Sequence, residues 1–252
     1  MIHDFIPELL AEGRILGHMH NPYILENRRR LIGRADLILV NSESTRRDLL
    51  ARYPTVGDRV RVTLLGSGLP AAPRVTPGVV APFLLWVGRR AAYKNFARTL
   101  EAFARLRADG LRLVCVGGGP FEEGELAQLA RLGLDGRVEL RSAGDAELAG
   151  LYRDASGLVY TSQYEGFGLP VLEALGQGCP VLCASTSSLP EVGGAAALYC
   201  NPDDTEALRE GLGLLLRQGR SEADCARRRE QASPFTWERC FRTANAAYAL
   251  LD

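Results

Sequence analysis

The chain has 252 residues, 46% of them in the hydrophobic set and 24% charged, with 30 basic residues balancing 30 acidic ones. That is the profile of a folded globular chain and excludes collagen-like or disordered polypeptides; the neutral balance also lacks the cationic footprint of a nucleic-acid binder. No apolar run reaches the roughly 18 residues of a membrane span, and Asp4, Glu8, Glu12 and Arg14 stand where a signal peptide would be apolar, so the expectation is a cytoplasmic protein.

In chain order, MIHDFIPE opens as if part-way along a strand. Asp36 to Asn41 and Arg61 to Leu65 read as strands around a helix at Glu43 to Arg52. So few strands in about seventy residues cannot cover both faces of a sheet, so residues 1–69 are expected to form an incomplete N-terminal α/β lobe. The proline-rich stretch over 70–82 reads as a linker. Residues 83–235 then alternate short apolar runs with amphipathic stretches, the pattern of a parallel sheet with crossover helices. Strands are expected at Phe83 to Val87, Leu111 to Val116, Val138 to Leu140, Leu158 to Thr161 and Pro180 to Ala184, with a weaker sixth at Ala197 to Cys200. Helices are expected near Ala97 to Arg107, Glu122 to Leu132, Glu147 to Asp154, Val171 to Gly178 and Asp204 to Gln218, followed by two more, the last over 236–252.

Six cysteines fall singly in apolar or helical surroundings, without the paired spacing of a zinc site, so they read as buried reduced thiols and no metal site is expected. Lys94 is the single lysine in a chain whose other basic residues are arginines. Either it is a solvated accident, or the chain needs a compact ammonium on a flexible stem that a guanidinium cannot imitate.

Ligands of an open parallel sheet bind beyond the carboxyl ends of its strands. Three such ends carry chemistry: Gly88 to Asn95 with Arg89, Arg90 and Lys94; Gly117-Gly118-Gly119-Pro120; and Ser162 to Pro170 with Glu165, Gly166, Phe167, Gly168 and Leu169. Gly166 and Gly168 allow close backbone approach, and Pro170 suits the first position of a helix whose unpaired amides would face a phosphate. Arg90 and Lys94 would neutralise the rest of a diphosphate, with Arg89 competing for the first role. Glu173, placed in the first turn of that helix, and Glu165 would accept hydrogen bonds from sugar hydroxyls. Singly these features have bland explanations: a glycine triplet as a tight turn, a first-turn Glu as a dipole cap, paired arginines as a solvated loop. Together, at adjacent strand ends, the bland account needs several coincidences.

These residues resemble the retaining glycosyltransferases of family 4. VGRRAAYKNFARTLEAF (Val87 to Phe103), YTSQYEGFGLPVLEALGQGCPVL (Tyr160 to Leu182) and SSLPEVGGAAALY (Ser187 to Tyr199) carry the match, and MIHDFIPE and LILVNSESTRRDL look like the last part of that family's N-terminal lobe. The resemblance implies an α/β, GT-B-like fold: one complete Rossmann-like, doubly wound C-terminal domain plus a partial N-terminal α/β lobe, with the final helix crossing back. It implies that Arg90 and Lys94 hold the departing diphosphate, Glu165 the donor sugar, Glu173 the ribose, and the amides of Phe167, Gly168 and Leu169 the phosphates. His3 matches the family's active-site histidine; a buried structural histidine is the alternative. Arg141 stands where a glycine is usual near the nucleotide base.

The expected function is transfer of a mannose- or glucose-type hexose from a UDP- or GDP-sugar to a hydroxyl of a glycan or lipid-linked acceptor, with retention and without a cofactor. Two alternatives stand beside it: a non-catalytic or truncated nucleotide-sugar-binding half, and an epimerase of the same architecture. Arg28-Arg29-Arg30 would allow peripheral contact with acidic headgroups, against the plainer reading of a solvated helix face. Base, sugar, acceptor and oligomeric state stay open.

Overall fold

The computed structural model describes residues 1–17, 23–72, 82–106 and 108–251. Of the expected linker, residues 73–81 lie outside the described residues, as does Arg107 at the end of an expected helix. In the first lobe, α1 (Ile6–Ala11) and α2 (Tyr23–Arg34) precede β1 (Ile38–Val40), α3 (Glu43–Arg52) and β2 (Val60–Val62). β1 and β2 pair in parallel, and Ile2 adds a parallel bridge to Val40 with its amide on the Leu39 carbonyl at 2.8 Å.

The larger domain runs β3 (Phe83–Val87), α4 (Phe96–Ala104), β4 (Arg112–Val116), α5 (Glu123–Arg131), β5 (Val138–Arg141), α6 (Asp145–Asp154), β6 (Gly157–Tyr160), α7 (Leu169–Gly176), β7 (Val181–Ala184), α8 (Leu189–Gly193), β8 (Leu198–Cys200), α9 (Thr205–Leu216), α10 (Glu222–Ala232) and α11 (Trp237–Tyr248). All six expected strands are present, in the all-parallel order β5-β4-β3-β6-β7-β8. Counted from β3, this is the doubly wound order 3-2-1-4-5-6, which reverses direction between β3 and β6 and opens a crevice at their carboxyl ends.

Strand alternation divides the domain into two cores. Phe83, Leu85 and Val87 face one side with Val171, Leu172 and Ala232, whereas Leu84 and Trp86 face the other with Phe96, Leu129 and Leu208. On α4 the buried residues Phe96, Thr99, Leu100 and Phe103 recur at helical spacing, which makes that stretch a helix laid on the sheet. Five of the cysteines are buried as expected, but Cys225 on α10 is half-buried instead. Burial pushes the Cys115, Cys179 and Cys200 thiols up to about 12, so they behave as apolar fillers.

The first lobe leans on this domain. Its core of Phe5, Leu9, Ile32, Val40 and Leu49 takes in Tyr164 from the loop after β6, whose hydroxyl donates to Asp48 at 2.6 Å. Glu191 of α8 accepts from the amides of Glu43 and Ser44 at 2.8 and 2.6 Å, so a carboxylate of one lobe caps α3 of the other. The last helix touches the chain just after β2: Thr63 donates to the Cys240 carbonyl at 3.0 Å, and a side chain on Gly66 would overlap the Trp237 backbone. Trp237, Phe241 and Tyr248 of α11 are exposed, whereas Phe235, just before it, packs edge-on against Phe167 with ring centroids 6.0 Å apart. An apolar groove of about 720 Å³ opens between α2 and the Ile2 edge of the small sheet. Among the described residues no helix is long and apolar enough to cross a membrane.

The lobes approach closely at Gly166, where an added β-carbon would lie 1.8 Å from the His3 carbonyl oxygen. Gly166→Ala is therefore expected to cost about 3 kcal/mol or more, because backbone rather than a flexible side chain must move. Gly176→Ala, whose β-carbon meets nothing within 4 Å, is the control and should be neutral or slightly stabilising. Urea denaturation of the two variants measures the difference.

Candidate active site

The crevice between β3 and β6 gathers the expected groups. Beyond β3 the chain turns at Gly88, at φ +120°, through Arg89 and Arg90 to a 3-10 turn over 92–94 that ends on Lys94. The two arginines part here. Arg89 is exposed. Arg90 has a side chain only 3% exposed, and each of its nitrogens is committed: Nε to Glu125 at 2.7 Å, Nη1 to the Gly117 carbonyl at 3.0 Å, and Nη2 to the Gly119 and Pro120 carbonyls at 3.0 and 2.7 Å. It also stacks over Phe121 at 4.8 Å. Gly117, Gly118 and Gly119 all have positive φ, a run that only glycine makes without strain and that presents their carbonyls to the guanidinium. Arg90 thus braces the glycine loop, while Arg89 is left facing solvent.

Lys94 lies between the rings of Tyr93 and Tyr160, with Nζ 5.5 and 5.2 Å from their centroids. Its ammonium donates to the Tyr160 hydroxyl at 3.0 Å and forms a tight ion pair with Glu165 Oε1. Tyr160 donates to the same oxygen at 2.9 Å. Burial, and then the neighbouring Glu165 carboxylate, hold the Tyr160 phenol well above its ordinary value, so it stays a donor at neutral pH. Among the described residues no donor reaches Glu165 Oε2, which leaves that oxygen for a ligand. Tyr160 was not singled out in the sequence; the only signal was a phenol at the last position of a strand whose next residues carry charge.

The loop after β6 ends on Gly168, at φ +102°, which serves as N-cap of α7. Among the described residues the amides of Phe167, Gly168 and Leu169 meet no acceptor, as a phosphate-binding helix start requires. Pro170 takes the second helical position rather than the first, and Glu173 is the fifth residue of α7, beyond its first turn, because the helix already starts at Leu169. Glu173 accepts from Tyr152 at 2.9 Å and is half-buried. Gly166 does not face the phosphate position: its carbonyl accepts from Ser42 at 2.7 Å, and its α-carbon abuts His3. His3 is exposed, so the buried alternative does not hold, and its main chain borders the loop that carries Glu165. The structure thus joins Lys94, Tyr160 and Glu165 beside the loop that carries the three amides and abuts the His3 backbone, holds Glu173 on Tyr152, and commits Arg90 to the glycine loop.

A family model described as glycosyl transferases group 1 matches residues 81–218. The chain belongs to that family. Among curated glycosyltransferases it is 33% identical to O-antigen chain mannosyltransferase B of Escherichia coli, over 86% of this chain and 61% of that protein. It is 30% identical to the MMP alpha-(1->4)-mannosyltransferase of Mycolicibacterium hassiacum, over 85% and 54%. The chain therefore spans a little over half the length of these relatives. Among solved structures, sucrose-phosphate synthase from Thermosynechococcus elongatus superposes with a TM-score of 0.75 at 24% identity, over 92% of this chain and 62% of that one. Anabaena HepE in complex with UDP-glucose superposes at 0.72 with 19% identity, over 92% and 68%. The fold of this glycosyltransferase chain is GT-B, with a complete Rossmann-like domain and a smaller α/β lobe.

Within that domain, burial raises the Glu173 carboxyl above its ordinary value, Tyr152 opposes the rise, and Asp145 adds to it. A carboxyl raised on folding stabilises below its unfolded pKa and loses that contribution as pH climbs through the folded one. At pH 7 the ionised Glu173 is thus a net cost. Glu173→Gln, which keeps an acceptor for Tyr152, should raise the melting temperature at pH 7, and the gain should vanish as pH is lowered below about 4. Calorimetric melting at several pH values checks both parts.

Proposed function

We propose that this chain carries the donor site of a retaining glycosyltransferase that moves a mannose- or glucose-type hexose from a nucleoside diphosphate to a hydroxyl of a glycan or lipid-linked acceptor. The observation that supports it most is the crevice itself, where an ammonium, unbonded helix-start amides and two carboxylates lie at adjacent strand ends. As the sugar–phosphate bond breaks and the acceptor oxygen joins the anomeric carbon, the hydroxyl proton passes to the departing diphosphate oxygen, on which negative charge collects. Lys94, Arg89 and the α7 amides offset that charge with preorganised dipoles and cations, so the reading needs no metal. Glu165 accepts from the sugar hydroxyls through Oε2, and Glu173 from the ribose. His3 borders the sugar from the first lobe. Arg89 takes the diphosphate role first given to Arg90, since Arg90 has no free face. Arg29 and Arg30 are exposed on α2 and free to meet acidic headgroups, whereas Arg28 is held by Glu8 at 2.8 Å and by the Asp4 carbonyl at 2.7 Å.

Two measurements test this reading. Arg89→Gln should weaken binding of a nucleoside diphosphate by about tenfold or more with an unchanged melting temperature, whereas Arg90→Gln should lower the melting temperature first, because it leaves loop carbonyls and Glu125 without a partner. Calorimetry with UDP and GDP on the unaltered chain should show binding to one of them, while a radiolabelled transfer assay on the same preparation shows little turnover. Holding acceptor and donor together is worth roughly 7–11 kcal/mol of barrier, and this chain spans little over half the length of its curated relatives. Absence of binding to either nucleotide would sink the donor-site assignment; normal turnover would refute the second expectation alone.

A further inference from the structure

Between β7 and α8 lie four hydroxyl side chains in a row; Ser185 donates to the Cys200 carbonyl at 3.3 Å, and the other three are Thr186, Ser187 and Ser188. All three bond the main chain of the loop that carries Glu165. Thr186 donates to the Ser162 carbonyl at 3.1 Å, Ser187 Oγ accepts from the Glu165 amide at 2.8 Å, and Ser188 donates to the Glu165 and Phe167 carbonyls, each at 2.9 Å. Consecutive side chains point to opposite faces in a strand and about 100° apart on a helix, so three in a row reach one neighbour only where the backbone departs from both. The departure is at Ser187, with φ +50°. Among the described residues only Asn95 shares a positive φ without being glycine, and asparagine tolerates that region far better than serine. A serine in a strained conformation, at a turn where glycine would sit freely, points to a use for its hydroxyl.

We propose that Ser187 is a positioning residue for the donor sugar: its hydroxyl pins the Glu165 amide, and so aims the Glu165 carboxylate at the sugar rather than at the nucleotide. This rests on the reading of Glu165 as the sugar's ligand. The peptide of Glu165 is held at both ends, by Ser187 on the amide and Ser188 on the carbonyl, and its carboxylate by Tyr160 and Lys94. With backbone and Oε1 both fixed, Oε2 has one direction left. Ser187 bonds none of the amides of residues 167–169, so nucleotide binding does not depend on it.

The test compares Ser187→Ala, which keeps the strain and removes the hydroxyl, with Ser187→Gly, which removes both. Calorimetry on the whole chain measures UDP against UDP-glucose and GDP against GDP-mannose, so that the ratio of the two constants isolates the sugar. Both variants should lose about tenfold of the affinity that the sugar adds, the worth of one well-placed hydrogen bond, and keep that for the nucleotide. Ser187→Gly should nonetheless melt at or above the parent's temperature, since glycine adopts the turn freely. Amide hydrogen exchange at Glu165 should quicken in both variants.

An undiminished sugar contribution in both variants overturns the proposal, and so does loss in Ser187→Ala alone, which would make the backbone and not the hydroxyl responsible. If Ser187→Ala does not fold, Ser187→Gly decides by itself. A parent chain that binds nucleotide but gains nothing from the sugar removes the Glu165 reading and the inference with it. A parent that gains from the sugar alongside variants that do likewise removes only the inference.

Discussion

Where the His3 carbonyl meets the α-carbon of Gly166 there is no room for a side chain, and the placement of the other groups in the crevice follows from that contact. Tyr164 and Glu165 precede it in sequence. Tyr164 goes into the core of the first lobe and bonds Asp48, while Glu165 goes to Lys94 and Tyr160 in the crevice. Neighbouring residues of an extended segment point opposite ways, so seating the tyrosine in one lobe commits the glutamate to the other. The same few residues join the lobes and hold Glu165, which couples any shift between lobes to the position of its carboxylate.

The small lobe leans on this contact and on others like it. Its sheet has two short strands and a bridge, and its core borrows Tyr164, while α3 borrows Glu191 as a cap and the end of β2 meets Cys240. A unit of about seventy residues is marginal by size alone, and these borrowed contacts add to what its own small core supplies. The larger domain has two cores of its own, one on each face of the sheet, and holds every group proposed to bind the donor except His3. That asymmetry is the physical reason for expecting ligand binding and efficient transfer to come apart in this chain.

Charge at the ends of β3 and β6 is divided by burial. Arg90 is desolvated and satisfied by carbonyls and Glu125, Lys94 is paired with Glu165 between two aromatic rings, and Arg89 is exposed. A guanidinium suits the first task, because its planar fork meets three carbonyls and a carboxylate at once. The second calls for a group small enough to reach both Tyr160 and Glu165 in a narrow space, which accounts for the single lysine of the chain.

Much of this was legible in the residues themselves. Strand alternation, the six strands, the loaded strand ends and the glycine-bearing loop before α7 depend on local chemistry and periodicity, which a sequence displays directly, and the family resemblance rested on those same segments. Helix ends shifted by a residue or two, moving Glu173 out of the first turn, because a helix start is set by its cap and Gly168 was not recognised as one. The division of labour between Arg89 and Arg90 was not legible, since it depends on the carbonyls of a glycine loop 27 to 30 residues further along. Nor was the use of Gly166, which rests on a backbone more than 160 positions away, or the clamp of Tyr160 and Ser187 on Glu165. The sequence alone determined the fold class and the neighbourhood of the site, because those follow from patterns repeated along the chain. Which arginine is left exposed, which glycine faces the other lobe and what holds the glutamate were decided only by tertiary structure, because each is a matter of what lies across the fold and not of what comes next in the chain.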